Sequence, residues 1–307
     1  MRIGVVLVTF NRLNELQKTI RLYEKQTKLP EYILVVDNHS TDGTTEFLEN
    51  WAKEDGPVQH KLITLPQNMG GSGGFYAGTE AASEMDAEWI WLADDDGYPQ
   101  NNALEELEKF SESHPDIMSK TVALCTENLG EHGIATGHRV RVKKILGSAV
   151  LVPVSEKEYH KEYFSLDVYS FVGAMVNKNA LLKAGFPQKE FFIYADDTEH
   201  ALRMGKLGDI LCVPAAKVYH YDNYVFSREA SWRDYYVTRN LLLTLKWHCG
   251  YPACFFRLIC RMLTAFRSRN VEKIKVVWAG ICDAQKGKIG IHPLYRPGWQ
   301  PKKKFSK

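Results

Sequence analysis

Strand-like and helix-like segments alternate from the start of the chain, and this order constrains the fold more than any other feature. Short apolar runs have the length and the β-branched or aromatic content of buried strands at residues 3–8, 32–36, 61–65 and 89–93. Between them, residues 14–26 and 44–51 carry apolar side chains at helical spacing. This alternation predicts an α/β fold in which a mostly parallel central sheet is flanked by helices.

Three adjacent aspartates, Asp94, Asp95 and Asp96, directly follow the last of these apolar runs. The carboxyl ends of strands are where open α/β sheets bind ligands. Adjacent carboxylates repel one another unless a cation lies among them, and a hard divalent cation such as Mg²⁺ suits them. The alternative is a solvated acidic turn before Gly97 and Pro99.

A glycine-rich stretch that starts at Asn68 follows the third predicted strand. Its glycines, Gly70, Gly71, Gly73 and Gly74, allow backbone N–H groups to approach an anion closely, and a helix N-terminus follows. The spacing matches neither the dinucleotide-binding pattern nor the phosphate-loop pattern. We interpret the stretch as a ligand-binding loop, with a plain turn as the alternative.

Two further acidic motifs each have a structural and a functional interpretation. Asp37, which is followed by Asn38, ends the second predicted strand; it can accept hydrogen bonds from a nucleoside, or it can form an Asx-turn. Asp196 and Asp197 follow an aromatic run at a predicted helix start, where the helix N-terminus favours the ionised form of a general base. Capping of that helix, with Glu199 in its first turn, is compatible with the same role.

In their order along the chain, these motifs resemble those of the inverting family 2 glycosyltransferases of the GT-A fold. The glycine-rich stretch with Phe75 behind it, followed by Trp91 and the three aspartates, is most similar to bacterial galactofuranosyltransferases. The resemblance covers residues 1–240. The matching residues are Thr9, Phe10, Asn11, Arg12, Asp37, Asn38, Asn68, Gly70, Gly71, Gly73, Gly74, Asp94, Asp95, Asp96, Asp196, Asp197, Glu199 and His220.

The resemblance implies a role for each of these residues. The nucleotide-sugar donor would contact Thr9, Phe10, Asn11, Arg12, Asp37, Asn68, Gly70, Gly71, Gly74, Asp94 and Asp95. A divalent metal, Mn²⁺ or Mg²⁺, would be bound by Asp94, Asp96 and His220. Asp197 matches the general base, and the acceptor would contact Asp196, Glu199 and Trp232.

These roles imply an inverting, metal-dependent transfer of galactofuranose from UDP-galactofuranose to a hydroxyl of a cell-surface glycan precursor. The expected acceptor is a glycan or a glycolipid in the synthesis of O antigen, capsule or cell wall. One departure concerns the donor, because Tyr194 and Ala195 precede the paired aspartates where the resembled enzymes often have tryptophan. A rhamnosyltransferase that uses dTDP-rhamnose and a sugar nucleotidyltransferase of related fold are the alternatives.

Charge is distributed unevenly along the chain. Residues 240–307 contain 14 Lys and Arg but two acids, a net charge of +12, whereas residues 1–239 carry −10. We expect a catalytic domain over residues 1–230 and a helical, basic extension over residues 231–307 that meets an anionic surface. The alternative is a solvated helical face with a lysine tail at 302–304. Nucleic acid is not the expected partner, since no nucleic-acid motif accompanies the charge.

Within this extension, residues 253–269 combine arginines with a large apolar surface. Arg257 and Arg261 are four residues apart and share a helix face. Such a helix can lie in a membrane interface; alternatively, its apolar side packs on the catalytic domain and its arginines face water.

The sequence also favours a reducing compartment. It has no signal-peptide pattern, and its six cysteines follow no disulfide or zinc spacing. We therefore expect a cytoplasmic protein, located at the inner face of the cytoplasmic membrane if the basic helix binds lipid. No pattern indicates the oligomeric state.

Overall fold

The structure, a computed structural model, describes residues 1–145, 147–221 and 228–301, so the lysines at 302–304 lie outside it. The strands are β1 (Ile3–Thr9), β2 (Tyr32–Asp37), β3 (Gln59–Thr64), β4 (Trp89–Asp94), β5 (Tyr98–Pro99), β6 (Thr121–Gly130), β7 (Gly133–Ile134), β8 (Arg139–Ile145), β9 (Ser148–Pro153), β10 (Phe164–Leu166), β11 (Val168–Tyr169), β12 (Ala174–Asn177) and β13 (Asp209–Tyr219). The α-helices are α1 (Leu13–Glu24), α2 (Thr44–Trp51), α3 (Gly70–Ser83), α4 (Ala103–Ser113), α5 (Pro115–Met118), α6 (Lys178–Ala184), α7 (Asp196–Met204), α8 (Trp232–His248), α9 (Tyr251–Arg267) and α10 (Val271–Gln285).

The main sheet has the strand order β10-β13-β6-β12-β4-β1-β2-β3, with the short β5 and β7 at its margin. Strands β4, β1, β2 and β3 are parallel to one another, and β13 is parallel to β6, whereas β12 and β10 run antiparallel to their neighbours. The register pairs Thr9 with Asp37 and Val8 with Asp94. The predicted fold class is therefore confirmed, and the candidate site residues of three strands end at one edge of the sheet.

Strand β1 shows why the sequence identified this sheet. All of its residues are buried, and alternate side chains enter two different cores. Val6 and Val8 pack in the core that contains Phe75 of α3, whereas Val5 and Leu7 pack in the core that contains Leu16 of α1. A strand that is covered on both faces has a continuous apolar sequence.

Three predicted segments differ from the structure or are decided by it. The glycine-rich stretch is not a loop, because helix α3 already begins at Gly70. The sequence pattern at residues 210–213 and 217–221 predicts two short strands, but the structure has one long strand, β13, with a register shift between Val213 and Lys217. The polar, basic segment at residues 126–147 is compatible with a hairpin or a mobile loop, and the structure shows the hairpin β8–β9, which pairs with β11 in a second, three-stranded sheet.

The C-terminal extension is helical, as predicted, and its three helices pack against one another. Helix α8 begins with a capping box formed by Ser231 and Asp234. Buried residues of α8 and α10 form a core with Phe191, which lies just before the paired aspartates. The predicted domain boundary after residue 230 stays a prediction. No helix within the described ranges is long and apolar enough to cross a membrane.

Helix α9 is oriented differently from both sequence interpretations. Its large apolar side chains face outward, whereas Arg261 faces inward and donates hydrogen bonds to Thr238 of α8. The alternative in which the apolar side packs on the catalytic domain is therefore correct only in part. Met262 and Ala265 pack in the core that contains Phe191, whereas Arg261 does not face water. The expectation that Arg257 and Arg261 face lipid headgroups is wrong, because both side chains are largely buried.

Candidate active site

The three adjacent aspartates lie where β4 ends beside β1, and two threonines fix their backbone and side chains. Thr9 Oγ1 donates a hydrogen bond of 2.7 Å to Asp95 Oδ2. Thr19 Oγ1, on helix α1, donates to the Asp95 carbonyl oxygen at 2.6 Å. Asp95 is thus held in place by two different elements, and its neighbours Asp94 and Asp96 are positioned on either side of it.

A residue distant in sequence completes this group. His220, which directly follows β13, places Nε2 3.4 Å from Asp96 Oδ1. Asp94, Asp96 and His220 each offer one ligand atom, and these atoms all lie within 4.8 Å of one another. Two carboxylate oxygens and an imidazole nitrogen form a donor set that suits a divalent cation such as Mn²⁺.

Arg12 supplies positive charge at the same place. Its guanidinium lies 3.2 Å from Asp95 Oδ1 and 2.8 Å from Asp96 Oδ2, and its side chain is 44% exposed. Arg12 therefore neutralises part of the acidic group and still has donors that face solvent in the cleft.

Burial and mutual repulsion give the three carboxyls different pKa values. Burial raises the pKa of Asp94 to about 7, and the charge of Asp96 adds to this effect. Burial also raises the pKa of Asp95 to about 7, although Arg12 opposes it. For Asp96, burial is outweighed by the hydrogen bonds and charges of His220 and Arg12, so its pKa is lowered. A cation among these groups favours their ionised forms.

An open cleft of about 460 Å³ lies above this group. Most of the predicted site residues line it, namely Thr9, Phe10, Arg12, Asn68, Gly70, Gly71, Asp94, Asp95, Asp96, His220 and Trp232. Phe192, Ile193, Arg233 and Pro297 line it as well and were not predicted. The cleft thus brings together the predicted donor side and the N-terminus of α8.

Asp37 and Asn11 lie beside the cleft and form its support. Asp37 is fully buried, and its carboxylate accepts hydrogen bonds from the Ser40 backbone N–H and the Thr45 hydroxyl. Asn11, with φ of 53°, accepts from the Thr41 backbone N–H, and its own N–H donates to Ser40 Oγ. The Asp37 carboxylate thus holds the turn through Ser40, three residues further on, and this turn fixes the loop that carries Asn11. The predicted contact of Asp37 with the nucleoside stays a prediction.

The glycines of α3 serve packing more than ligand access. Gly70 has φ of +71°, and a Cβ atom there would lie 1.9 Å from the Phe192 carbonyl oxygen. At Gly74 a Cβ atom would lie 2.4 Å from Val8 Cγ1, so this glycine allows α3 to pack on β1 and does not line the cleft. Only Gly71 of these three has open space beside it. The structure thus gives Gly74 a packing role, and its predicted contact with the donor stays a prediction.

The second acidic pair lies at the start of α7 after an unusual backbone. Phe192, Tyr194 and Ala195 all have φ between 64° and 68°, a left-handed conformation that is unfavourable for residues other than glycine. Asp196 is buried, whereas Asp197 lies deep among protein atoms but is partly accessible to solvent. Burial raises the pKa of both carboxyls, and the charge of Asp197 further raises that of Asp196.

Two residues of α8 hold this backbone. Asn240 Nδ2 donates hydrogen bonds to the carbonyl oxygens of Phe191, Ile193 and Tyr194 at 3.0, 2.8 and 2.9 Å. The buried Arg239 guanidinium donates to the Phe191 carbonyl as well. The C-terminal extension therefore fixes the left-handed turns that aim the second acidic pair.

Glu199 lies away from the cleft. It is buried, its carboxylate accepts hydrogen bonds from Arg203, and its Oε1 lies 3.0 Å from His248 Nε2 of α8. With these partners it anchors α7 to α8, an arrangement that favours a positioning role, and its predicted contact with the acceptor stays a prediction. Asp196 and Asp197 do not line the cleft surface directly either.

Sequence reasoning missed two residues beside the site. Arg139 is fully buried and donates hydrogen bonds to the carbonyl oxygens of Thr126 and Val172, which hold the turn before β12. The half-buried His138 packs its ring edge against His220, with ring centroids 5.2 Å apart. Arg139 was not among the predicted site residues, because nothing local in the sequence separates a buried arginine from an exposed one.

Comparison with known proteins agrees with this geometry. The family model described as glycosyl transferase family 2 matches residues 4–183. Galactofuranosyltransferase GlfT1 of Mycobacterium tuberculosis is 38% identical over 96 residues, which are 31% of this chain and 31% of the relative. GlfT1 of Mycolicibacterium smegmatis is 33% identical over 99 residues, which are 32% of this chain and 31% of the relative. The match thus spans about a third of the length of these curated relatives.

Solved structures share the fold at low sequence identity. TarS of S. aureus has a TM-score of 0.56 at 17% identity, covering 90% of this chain and 45% of TarS. Residues 1–349 of TarS in complex with UDP have a TM-score of 0.55 at 14% identity, and the match covers 96% of this chain and 93% of that structure. GalNAc-T7 with UDP, GalNAc and Mn²⁺ has a TM-score of 0.56 at 15% identity, and the match covers 86% of this chain and 57% of GalNAc-T7. With the family model matching more than half of its residues, the chain belongs to glycosyl transferase family 2 and has the GT-A fold.

Proposed function

We propose that this glycosyltransferase transfers galactofuranose from UDP-galactofuranose, with inversion, to a hydroxyl of a lipid-linked precursor of a cell-surface glycan. The observation that carries the proposal is that a possible metal-binding group lies near a second acidic pair at a helix start, close enough for the charge of Asp197 to add to the effect of burial and raise the pKa of Asp94. The GlfT1 relatives support the donor sugar, and the neighbours solved with UDP or UDP-GlcNAc support a uridine nucleotide.

We propose Asp94, Asp96 and His220 as the ligands of Mn²⁺ or Mg²⁺. The imidazole makes Mn²⁺ the better candidate, since Mg²⁺ prefers oxygen ligands and water. GalNAc-T7, which shares the fold, was solved with Mn²⁺. When bound, the ion supplies positive charge that stabilises the nucleoside diphosphate leaving group.

The donor is held by residues at the carboxyl ends of β1 and β4. The exposed part of the Arg12 guanidinium is available to the diphosphate, and Asp95, oriented by Thr9, faces the sugar. Phe10 lies at the cleft surface, where its ring can contact the base. Asp37 acts through the turn that fixes Asn11, because its own carboxylate is buried.

Asp197 is our proposed general base. Its raised pKa brings it nearer to the operating pH, which favours proton transfer from a hydroxyl. Asp197 takes the proton of the acceptor hydroxyl while the oxygen attacks the anomeric carbon on the face opposite the diphosphate. One displacement then inverts the configuration and requires no covalent glycosyl-enzyme, unlike a retaining mechanism. Trp232 lines the cleft and is available to the acceptor sugar.

The cellular location is part of the same proposal. All six cysteines lie among the described residues and are free thiols, which suits a reducing compartment. We therefore place the reaction in the cytoplasm, at the inner face of the cytoplasmic membrane where a lipid-linked acceptor is available.

A donor screen by thermal shift tests the proposal. A ligand that binds only the folded state raises the melting temperature, so UDP-galactofuranose with Mn²⁺ is expected to raise it more than dTDP-rhamnose or a GDP-sugar does. Release of UDP and the product mass with a synthetic lipid-linked acceptor then establish transfer. Stabilisation by dTDP-rhamnose alone would assign a rhamnosyltransferase, and pyrophosphate release from UTP and a sugar phosphate would assign a nucleotidyltransferase.

A further inference from the structure

Helix α9 has an exposed apolar face that no other part of the described chain covers. Six large apolar side chains on it are between 40% and 73% exposed, namely Tyr251, Phe255, Phe256, Ile259, Leu263 and Phe266. They recur three or four residues apart and therefore form one continuous stripe along the helix. Single exposed apolar residues are common on proteins, but a continuous stripe of this kind marks an interaction surface.

The opposite face of α9 carries two arginines beside the apolar side chains that pack inward. Arg261 contacts Asp234 and Thr238 of α8, and the largely buried Arg257 has its pKa lowered by burial and by the nearby Arg261. Two cations thus face the protein while large apolar side chains face outward. This orientation is favourable when the outward face meets an apolar phase.

Positive charge surrounds this apolar stripe. No acidic residue occurs between Asp234 and Glu272, and Arg267 and Arg269, at and just after the end of α9, are exposed. On the neighbouring helix α10, Lys275 is exposed, together with Trp278, which is 55% exposed. Apolar side chains flanked by cations and an amphipathic tryptophan are complementary to an anionic lipid interface.

We propose that the outward face of α9 docks on an anionic lipid bilayer, with the helix lying in the interface plane. Ala265 and Met262, from the other side of α9, pack in the core that contains Phe191, and Ala253 packs in a cluster that contacts Ala195. The contacted residues, Phe191 and Ala195, both lie just before the paired aspartates in the sequence. Docking of α9 therefore holds the acceptor side of the cleft close to the headgroups, a consequence that rests on the proposed lipid-linked acceptor.

Vesicle co-sedimentation of the full chain tests the docking without donor, acceptor or turnover. The test variant is Ile259→Ser with Leu263→Ser, whose side chains are 40% and 50% exposed on α9. The matched control is Leu207→Ser with Leu182→Ser, which are 45% and 50% exposed elsewhere on the surface. The probes are phosphatidylcholine vesicles with and without phosphatidylglycerol, at low and high salt, and the UDP–Mn²⁺ thermal shift of each variant reports that the cleft is intact.

We expect the wild type and the control to sediment with the phosphatidylglycerol vesicles at low salt and to be released at high salt. The Ile259→Ser, Leu263→Ser variant should bind about 30-fold more weakly, from the loss of two buried aliphatic side chains. Arg267→Gln with Arg269→Gln should lose about fivefold for each charge.

Wild-type protein that sediments with neither type of vesicle would overturn the proposal, as would equal binding by the α9 variant. Analytical ultracentrifugation distinguishes another occupant of the same face. A dimer of the wild type that the Ile259→Ser, Leu263→Ser variant dissociates, without vesicle binding, would assign the face to a second copy of the chain. Each of these binding results can be obtained whether or not the proposed transfer reaction is correct, so the two proposals are tested separately.

Discussion

The two acidic clusters of the candidate site both follow an apolar, aromatic-rich run, yet they are held in different ways. Asp94, Asp95 and Asp96 lie at the end of a buried strand, beside Arg12 and His220. Asp196 and Asp197 stand at a helix start whose preceding turns require hydrogen bonds from α8. The first cluster is suited to bind a cation and a diphosphate, whereas the second is suited to hold a proton acceptor whose pKa is shifted towards neutral pH.

The largest effect should come from the strand-end cluster. We expect Asp96→Ala to abolish metal-dependent transfer, and Asp94→Ala to reduce it less, because both remove a carboxylate that is proposed to hold the ion. Asp94→Ala also relieves the repulsion between Asp94 and Asp96, so the melting temperature of this variant without metal should not fall. UDP release is measured over a Mn²⁺ titration. Full turnover of Asp96→Ala at wild-type Mn²⁺ concentrations would show that the metal assignment is wrong.

The helix-start cluster should respond differently. Asp197→Asn removes the proposed base but keeps the size of the side chain, so turnover should fall by about 100-fold or more. Donor binding should be nearly unchanged, since Asp197 does not line the cleft next to the donor residues. Initial rates and the UDP thermal shift are measured on the same preparation. Near-normal turnover of this variant would move the base to another residue.

A third change tests the hydrogen bonds from Asn240, which support the second cluster but not the first. Asn240→Leu removes the side-chain donor of the Ile193 and Tyr194 carbonyl oxygens, whereas the Phe191 carbonyl keeps other donors. The free energy of unfolding should therefore fall by about 2 kcal/mol, near 1 kcal/mol for each lost hydrogen bond. Turnover should fall while the Mn²⁺ dependence of UDP binding stays normal, because the strand-end cluster makes no use of Asn240.

The matched control for this change is Thr244→Val on the same helix. Thr244 is buried, and its hydroxyl has no hydrogen-bond partner among residues 1–145, 147–221 and 228–301. This variant should keep both stability and turnover. A similar loss of stability and turnover in the two variants would mean that any change inside α8 disturbs the site and that the hydrogen bonds from Asn240 have no specific role.

The smallest effect concerns pH. Burial raises the pKa of Asp94 and Asp95 to about 7, so between their unfolded and folded pKa values the native state binds more protons than the unfolded state. The contribution of Asp94 to the free energy of unfolding of the metal-free protein should therefore decrease as the pH rises from about 4 to 7. His138 and the buried His200, whose pKa values are lowered by burial to about 3, act in the opposite direction, so the contribution of Asp94 is measured as the difference between the wild type and Asp94→Asn. Urea unfolding of both proteins at several pH values gives this difference, and a difference that increases with pH would contradict the assigned pKa of Asp94.

The sequence predicts the first cluster better than the second for a physical reason. Strands β1, β2 and β4 are buried on both faces, so their continuous apolar runs locate the residues that follow them. The position of Asp197 depends on Asn240, which is remote in sequence, and on turns with left-handed backbone at residues other than glycine. Neither feature has a local signature.

The glycines and helix α9 show the same limit. A cluster of glycines indicates a close approach, but it does not distinguish approach to a ligand from the approach of α3 to Val8. Helical spacing likewise identified the apolar and arginine faces of α9 but not which of them points outward. Both outcomes depend on neighbouring elements that only the tertiary structure supplies.

The most direct test asks whether one cluster binds the cation and the other accepts the proton. It uses titration calorimetry of UDP, with and without Mn²⁺, on wild type, Asp96→Ala and Asp197→Asn. We predict that Mn²⁺ strengthens UDP binding to wild type and to Asp197→Asn by the same factor and that Asp96→Ala loses this gain. Equal Mn²⁺ enhancement in Asp96→Ala, or its loss in Asp197→Asn, would contradict the division between a cation-binding strand end and a proton-accepting helix start.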